Sequence, residues 1–165
     1  MHNTIPYKNY LLTVFLCVMF FGLKAQIPAS IFDLKQFKNR VEQKNDTLYV
    51  VNFWATWCKP CVAELPYFQS MINLYKNQPV KVILVSQDAK TKALPVSQFM
   101  QNFNFTAEFF ILSAGNPNIW IDQIEPKWSG IIPATVLYKN GIALDFHEGD
   151  FPSEKTLEDF IHSKL

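Results

Sequence analysis

The stretch that decides the fold runs Leu48-Tyr49-Val50-Val51-Asn52-Phe53-Trp54, then Ala55-Thr56, then Trp57-Cys58-Lys59-Pro60-Cys61. The first seven residues are almost wholly apolar and rich in β-branched and aromatic types. Such a run predicts a strand over 47–54 covered on both faces, as in the middle of a sheet flanked by helices. Residues 62–75 read as a helix, with Cys61, Leu65, Phe68 and Ile72 on one stripe and Pro66 interrupting the ladder. Two cysteines two residues apart at a strand-to-helix junction have the geometry of a dithiol that cycles with a disulfide. Cys58 then sits at the open helix N-terminus, where unpaired N–H groups and the helix dipole favour a thiolate. Cys61 lies about one turn on, close enough to close the bridge. This makes Cys58 the nucleophile and Cys61 the resolving thiol.

Other uses of the pair fit less well. A structural zinc site needs four ligands. The chain holds only three cysteines, and His2, His147 and His162 show no paired spacing. A static bridge would close a very short loop and constrain the unfolded chain little. Net charge is +1 with no basic run, which gives nucleic acid no electrostatic footprint. No metal and no cofactor is assigned. At 165 residues the chain has room for one domain with a sizeable core.

Residues 1–25 read as a targeting segment, and 26–165 as the domain. Lys8 supplies positive charge, and residues 10–23 form an apolar run of about 14 residues. That is the length of a signal h-region and short of the ~20 needed to span a bilayer. Leu23-Lys24-Ala25 offers a cleavage site, although Leu23 stands where a small residue is usual. The alternative is a retained tether through residues 10–23 that anchors the domain at the inner membrane. Either way the expected location is periplasmic or otherwise exported. Cys17 falls in the leader, so the exported domain keeps only Cys58 and Cys61, spaced for exchange rather than for a long structural loop.

Further along, Ser30 is expected to cap a helix over 31–44, with Ile31, Leu34, Phe37 and Val41 at helical spacing. A second buried strand covers 80–86. A loop and a short helix opened by Pro95 follow, with Phe99 and Phe103 facing inward, then a third strand over 105–112 and one or two helical turns over 119–124. Residues 134–139 and 142–147 flank Asn140-Gly141, the strongest two-residue hairpin signal. Ser153 caps a closing helix with Leu157, Phe160 and Ile161 on one face. This order predicts an α/β fold: a central mixed β-sheet flanked by helices, with the dithiol at the carboxyl end of a buried strand.

Residues 51–61, Val-Asn-Phe-Trp-Ala-Thr-Trp-Cys-Lys-Pro-Cys, strongly resemble the active-site segment of the thioredoxin superfamily. Pro66 stands where that family kinks its helix, and Ile132-Pro133 precedes a strand and hairpin as does the family's cis-proline. Cys61-Val62-Ala63-Glu64-Leu65-Pro66 looks most like the TlpA/ResA-like branch of exported thiol–disulfide oxidoreductases. The resemblance covers 30–165 and is loose over 89–128. It implies a thioredoxin-like fold and a cis peptide bond at Ile132-Pro133. Trp57, Ile132 and Pro133 would meet a substrate polypeptide, with Ile132 pairing by strand addition. Lys59 and Pro60 would support the site. The implied partners are disulfide-containing protein substrates and a membrane thiol electron donor, with cytochrome c maturation among the branch's services.

Where thioredoxins carry a buried aspartate, this chain has Asn52, which cannot take up a proton. Glu64, about 60° around the helix from Cys61, is the replacement expected to accept the Cys61 proton. The competing reading is a solvated helix glutamate. Asp88 either lines the site or caps its loop, Trp120 and Trp128 are core or lid aromatics, and His147 and His162 are expected to face solvent. A copper-binding chaperone of the same fold is the alternative function. A peroxidase would need a Pro-x-x-x-Thr/Ser-x-x-Cys pattern, which the residues before Cys58 and Cys61 do not supply.

Overall fold

The computed structural model describes residues 27–165. Residues 1–25, with their expected cleavage site, tether and Cys17, lie outside the described residues. Among the described residues, no helix is long and apolar enough to cross a membrane.

Six strands form one mixed sheet in the order β1-β4-β3-β2-β5-β6. β1 (Ser30–Phe32), β4 (Glu108–Leu112), β3 (Val80–Ser86) and β2 (Leu48–Trp54) run parallel. β5 (Ala134–Lys139) and β6 (Ile142–Glu148) continue the sheet antiparallel. The helices are α1 (Leu34–Val41), α2 (Lys59–Leu74), α3 (Ala93–Asn102), α4 (Pro117–Ile124) and α5 (Glu154–His162). All seven β2 residues are buried, as the apolar run required. Their side chains alternate between two cores. Leu48, Val50 and Trp54 pack with residues of α2, α3 and α5, whereas Tyr49, Val51 and Phe53 pack with Phe37 and Val41 of α1 and Trp120 and Ile124 of α4. Helices on both faces explain why the central strand reads apolar throughout.

The chain's entry corrects the sequence reading. Ser30 does not cap a helix. Ser30–Phe32 is an edge strand paired in parallel with Phe110–Leu112, and Phe32 stacks on Phe110 with centroids 4.2 Å apart. Asp33 caps α1 instead: its side chain accepts from the Gln36 N–H while the Gln36 side chain accepts from the Asp33 N–H. Ile31 and Leu34 have helical spacing, but a three-residue strand is too short for its period of two to show against it.

In the middle of the chain, a 3₁₀ turn (Lys90–Lys92) precedes α3, and Pro95 lies in the first turn of that helix, where it forfeits no hydrogen bond. Phe99 packs against the core, but Phe103 does not face inward. It is 53% exposed at the end of α3, between Phe99 and Phe105. β4 begins at Glu108 rather than at 105, and α4 starts two residues early because Asn116 caps it with Pro117 in its first turn. The hairpin turns at Asn140 (φ 52°) and Gly141 (φ 83°), the two positive φ values of a type I′ turn. Ser153 caps α5 as expected, with Leu157 and Ile161 buried and Phe160 partly so.

Candidate active site

Cys58 is the N-cap of α2, at the carboxyl end of β2, and is joined to Cys61 by a disulfide. Its Sγ accepts the Cys61 backbone N–H at 3.3 Å. This first-turn donor would stabilise a thiolate there once the bridge is reduced. Cys61 is fully buried, while Cys58 keeps a sliver of exposure. Trp57 stands beside it, 67% exposed, and Lys59 and Pro60 are exposed at the start of the helix. The Ile132-Pro133 bond is cis, and the Ile132 carbonyl oxygen lies 3.8 Å from Cys58 Sγ. Trp57, Ile132, Pro133 and the dithiol are thus brought together across more than seventy residues of chain.

The loop that carries the dithiol is tied to the end of β3. Asp88 accepts the Thr56 N–H at 2.9 Å, the Thr56 hydroxyl at 2.7 Å and the Ser86 hydroxyl at 2.8 Å. The Gln87 N–H donates to the Trp54 carbonyl at 2.7 Å. Asp88 is therefore the loop clamp, the second of the two roles the sequence left open.

Glu64 is 1% exposed, which overturns the reading of a solvated helix residue. The Asn52 Nδ2 donates to one of its oxygens at 2.9 Å, and the Phe151 N–H donates to the other at 2.9 Å. Asn52 also donates to the Thr135 hydroxyl at 3.1 Å. Burial pushes the Glu64 carboxyl up to about 7 from 4.5. The two hydrogen bonds pull the other way, and the nearby Asp150 charge adds to the rise. Asn52 thus occupies the β2 position facing α2 as an anchor for the carboxyl, not as a base.

Sequence reasoning missed Phe151, Thr135 and the place of His147. His147 is not a freely solvated ring: it stacks on Phe151 with centroids 4.2 Å apart, on the residue whose N–H holds Glu64. No local pattern signals this, because Phe151 reaches Glu64 across 87 positions. His162 is exposed, as expected, and Trp120 and Trp128 are both buried.

A mixed sheet with helices on both faces, a helix-capping cysteine pair and a facing cis-proline define a thioredoxin-like protein. The Redoxin family model matches residues 25–119, and the chain belongs to that family. It is 39% identical over 82 residues to the thiol-disulfide oxidoreductase ResA of Oceanobacillus iheyensis, covering 46% of this chain and 42% of that one. To the ResA of Geobacillus kaustophilus it is 35% identical over 111 residues, covering 66% and 59%. The chain thus spans about half the length of these curated relatives. Among solved structures, a thioredoxin-related protein from Neisseria meningitidis serogroup B superposes with a TM-score of 0.60 at 21% identity, over 73% of this chain and 86% of that one. That likeness speaks for the fold alone.

Proposed function

We propose that this protein is an exported thiol–disulfide oxidoreductase that reduces disulfides in other polypeptides. The observation that carries the reading is the Cys58–Cys61 pair at the α2 N-terminus, facing the Ile132 carbonyl, with the buried Glu64 one turn beyond. In the reduced protein, the Cys58 thiolate attacks one sulfur of a substrate disulfide and the other sulfur leaves as a thiolate. Cys61 then passes its proton to Glu64 and attacks Cys58. The mixed disulfide breaks, the second substrate sulfur leaves, and the Cys58–Cys61 bridge re-forms. Two electrons have passed from the protein dithiol to the substrate. A membrane-borne dithiol outside the cytoplasm would supply the next pair.

Trp57 offers an apolar platform to the partner, and Ile132 pairs with its backbone by strand addition. Pro60 fixes the helix start, and Lys59 adds positive charge that is worth little through water. Residues 1–25 direct export and either leave or tether the domain, placing it in the periplasm or its equivalent. Cytochrome c maturation is one service such a reductase would perform.

The test is stoichiometric reduction of a disulfide-bonded polypeptide by the pre-reduced full chain. Two substrate thiols should appear per protein, with loss of the Cys58 and Cys61 thiols, and none with Cys58→Ser. The reduction potential, titrated against glutathione, gives the direction. A potential as oxidising as that of DsbA, about −120 mV, would reverse the assignment to an oxidase. Stoichiometric Cu(I) binding without disulfide exchange would establish the copper-chaperone alternative.

A further inference from the structure

The outer face of α3 is exposed and carries no charge. Residues 93–107, which hold the helix and the turn beyond it, contain no Asp, Glu, Lys, Arg or His, in a chain of which 18% is charged. α1 and α5 follow the ordinary rule for a solvated helix: Lys35 is exposed on one, and Glu154, Lys155 and Asp159 on the other. On α3 and its C-cap the exposed residues are Leu94, Pro95, Gln101, Asn102 and Phe103, with Leu94 at 39% and Phe103 at 53%.

The entering chain extends this face. The Ala29 N–H donates to the Ala93 carbonyl at 3.0 Å, and the Ser97 hydroxyl donates to the Ile27 carbonyl. Ile27 is 72% exposed, and residues 27–32 are also without charge. A shallow hollow of about 330 Å³ between Ile27, Met100, Gln101 and Phe105 joins the two segments into one surface. Charge stands at its borders. Lys90 and Lys92 are exposed in the 3₁₀ turn before α3, and at the far end Glu108 is neutralised by its pair with Arg40. An exposed uncharged face with lysines at its rim fits the surface of an anionic lipid bilayer.

The position of the face along the chain points the same way. The apolar run 10–23 ends at Leu23, and a fully extended chain from Leu23 to Ile27 spans at most about 14 Å. A retained leader therefore holds this face against the membrane. Cleavage after Ala25 would instead leave a cationic α-amino group on Gln26, next to Ile27, which adds to the two lysines.

We propose that the face made by α3 and residues 27–32 docks on the surface of an anionic lipid bilayer. The proposal rests on the reading of an exported protein that works at a membrane. Asp88, which clamps the dithiol loop, stands two residues before Lys90. Docking therefore sets the dithiol end of the fold beside the bilayer, where the proposed membrane-borne dithiol would meet it.

The test uses the full chain, oxidised so that Cys58 and Cys61 are bridged and Cys17 is the free thiol. A polarity-sensitive fluorophore is attached to Cys17 or, in Cys17→Ser, to Leu94→Cys, Gln101→Cys or Ile142→Cys. Ile142 is the control, exposed on β6 at the opposite edge of the sheet. Quenching by lipids brominated in the acyl chains is read in vesicles of phosphatidylcholine, with and without phosphatidylglycerol. Labels at 94 and 101 should be quenched, more strongly with phosphatidylglycerol, and the label at 142 should not. Phe103→Glu should abolish quenching at 94 and 101 and spare that at Cys17, and Lys90→Gln with Lys92→Gln should remove the dependence on phosphatidylglycerol. Quenching at Cys17 with none at 94 and 101 would overturn the docking face and leave the tether. Equal quenching at 94, 101 and 142 would overturn it as indiscriminate adsorption. A lipid-free blue shift at 94 and 101 that grows with protein concentration would give the face to a second copy of the chain and overturn it too. No quenching at any position, Cys17 included, would overturn docking and tether together. The oxidised protein performs no reduction here, so none of these outcomes touches the exchange reading.

Discussion

Replacing Glu64 by glutamine should remove a pH dependence that this one carboxyl builds into the fold. Its pKa rises from 4.5 to about 7 because burial disfavours the charged form more than the hydrogen bonds from Phe151 and Asn52 favour it. The native state therefore holds the Glu64 proton more tightly than the unfolded state does. The associated stability is fully present below pH 4.5 and is lost as pH rises through about 7. A shift of that size corresponds to about 3 kcal/mol at 1.36 kcal/mol per unit.

Glu64→Gln cannot titrate, but it is not a silent change. Both carboxyl oxygens accept a donor, so the new amide N–H₂ meets either Phe151 N–H or Asn52 Nδ2. Asn52 can relieve this by turning its unpaired Oδ1 toward the amide, at the expense of its bond to Thr135. A pH-independent loss of about 1 kcal/mol is expected from that exchange. The assay is urea unfolding of the oxidised proteins from pH 4 to 8, where the thiols do not contribute. The stability of the unmodified protein minus that of Glu64→Gln should fall by about 3 kcal/mol across this range. Parallel pH profiles would refute the argument for a perturbed carboxyl, and with it the proton acceptor for Cys61.

In the reduced proteins, Glu64→Gln should slow the resolving step by about 10²-fold, read by stopped-flow decay of a mixed disulfide. Cys61→Ser should accumulate a mixed disulfide with substrate and Cys58→Ser none, seen on non-reducing gels; preferential alkylation of Cys61 in the reduced protein would reverse these roles. Asp88→Ala removes the acceptor of three hydrogen bonds and leaves the Thr56 N–H unpaired. It should cost about 2–3 kcal/mol in denaturant unfolding and speed hydrogen exchange in the Thr56–Cys58 loop, whereas unchanged exchange would show that Asp88 does not hold it. Mass spectrometry of the protein from its native host should find an N-terminus at Gln26, and a chain starting at Met1 in the membrane fraction would establish the tether.

The dithiol, its helix and the sheet's central strand were legible because each rests on local chemistry. An apolar β-type run, two cysteines at fixed spacing and an Asn-Gly turn each constrain only their own neighbourhood. Ile132-Pro133 and Glu64 could be singled out only by their likeness to known thioredoxin-like chains. Their positions, Ile132 opposite Cys58 and Glu64 buried against Asn52 and Phe151, depend on strand pairing across the sheet. Where neighbouring elements compete, local signals fail. Ser30–Phe32 became a strand because Phe110–Leu112 offered it an edge, not because its own pattern demanded one. Phe103 turned outward because α3 ends there.

The amino-acid order thus determined that two cysteines stand three residues apart at a helix N-terminus, where a thiol's reactivity follows from the backbone of that helix alone. Only the tertiary structure decided what that dithiol faces and how the carboxyl of Glu64 is perturbed. Glu64 is perturbed because β2 and the segment after β6 close over it from 12 and 87 positions away. Gln87 and Trp120 line one hollow because the end of β3 and α4 meet there. Desolvation and hydrogen-bond satisfaction are set by what surrounds a group in space, and spacing along the chain carries no record of it.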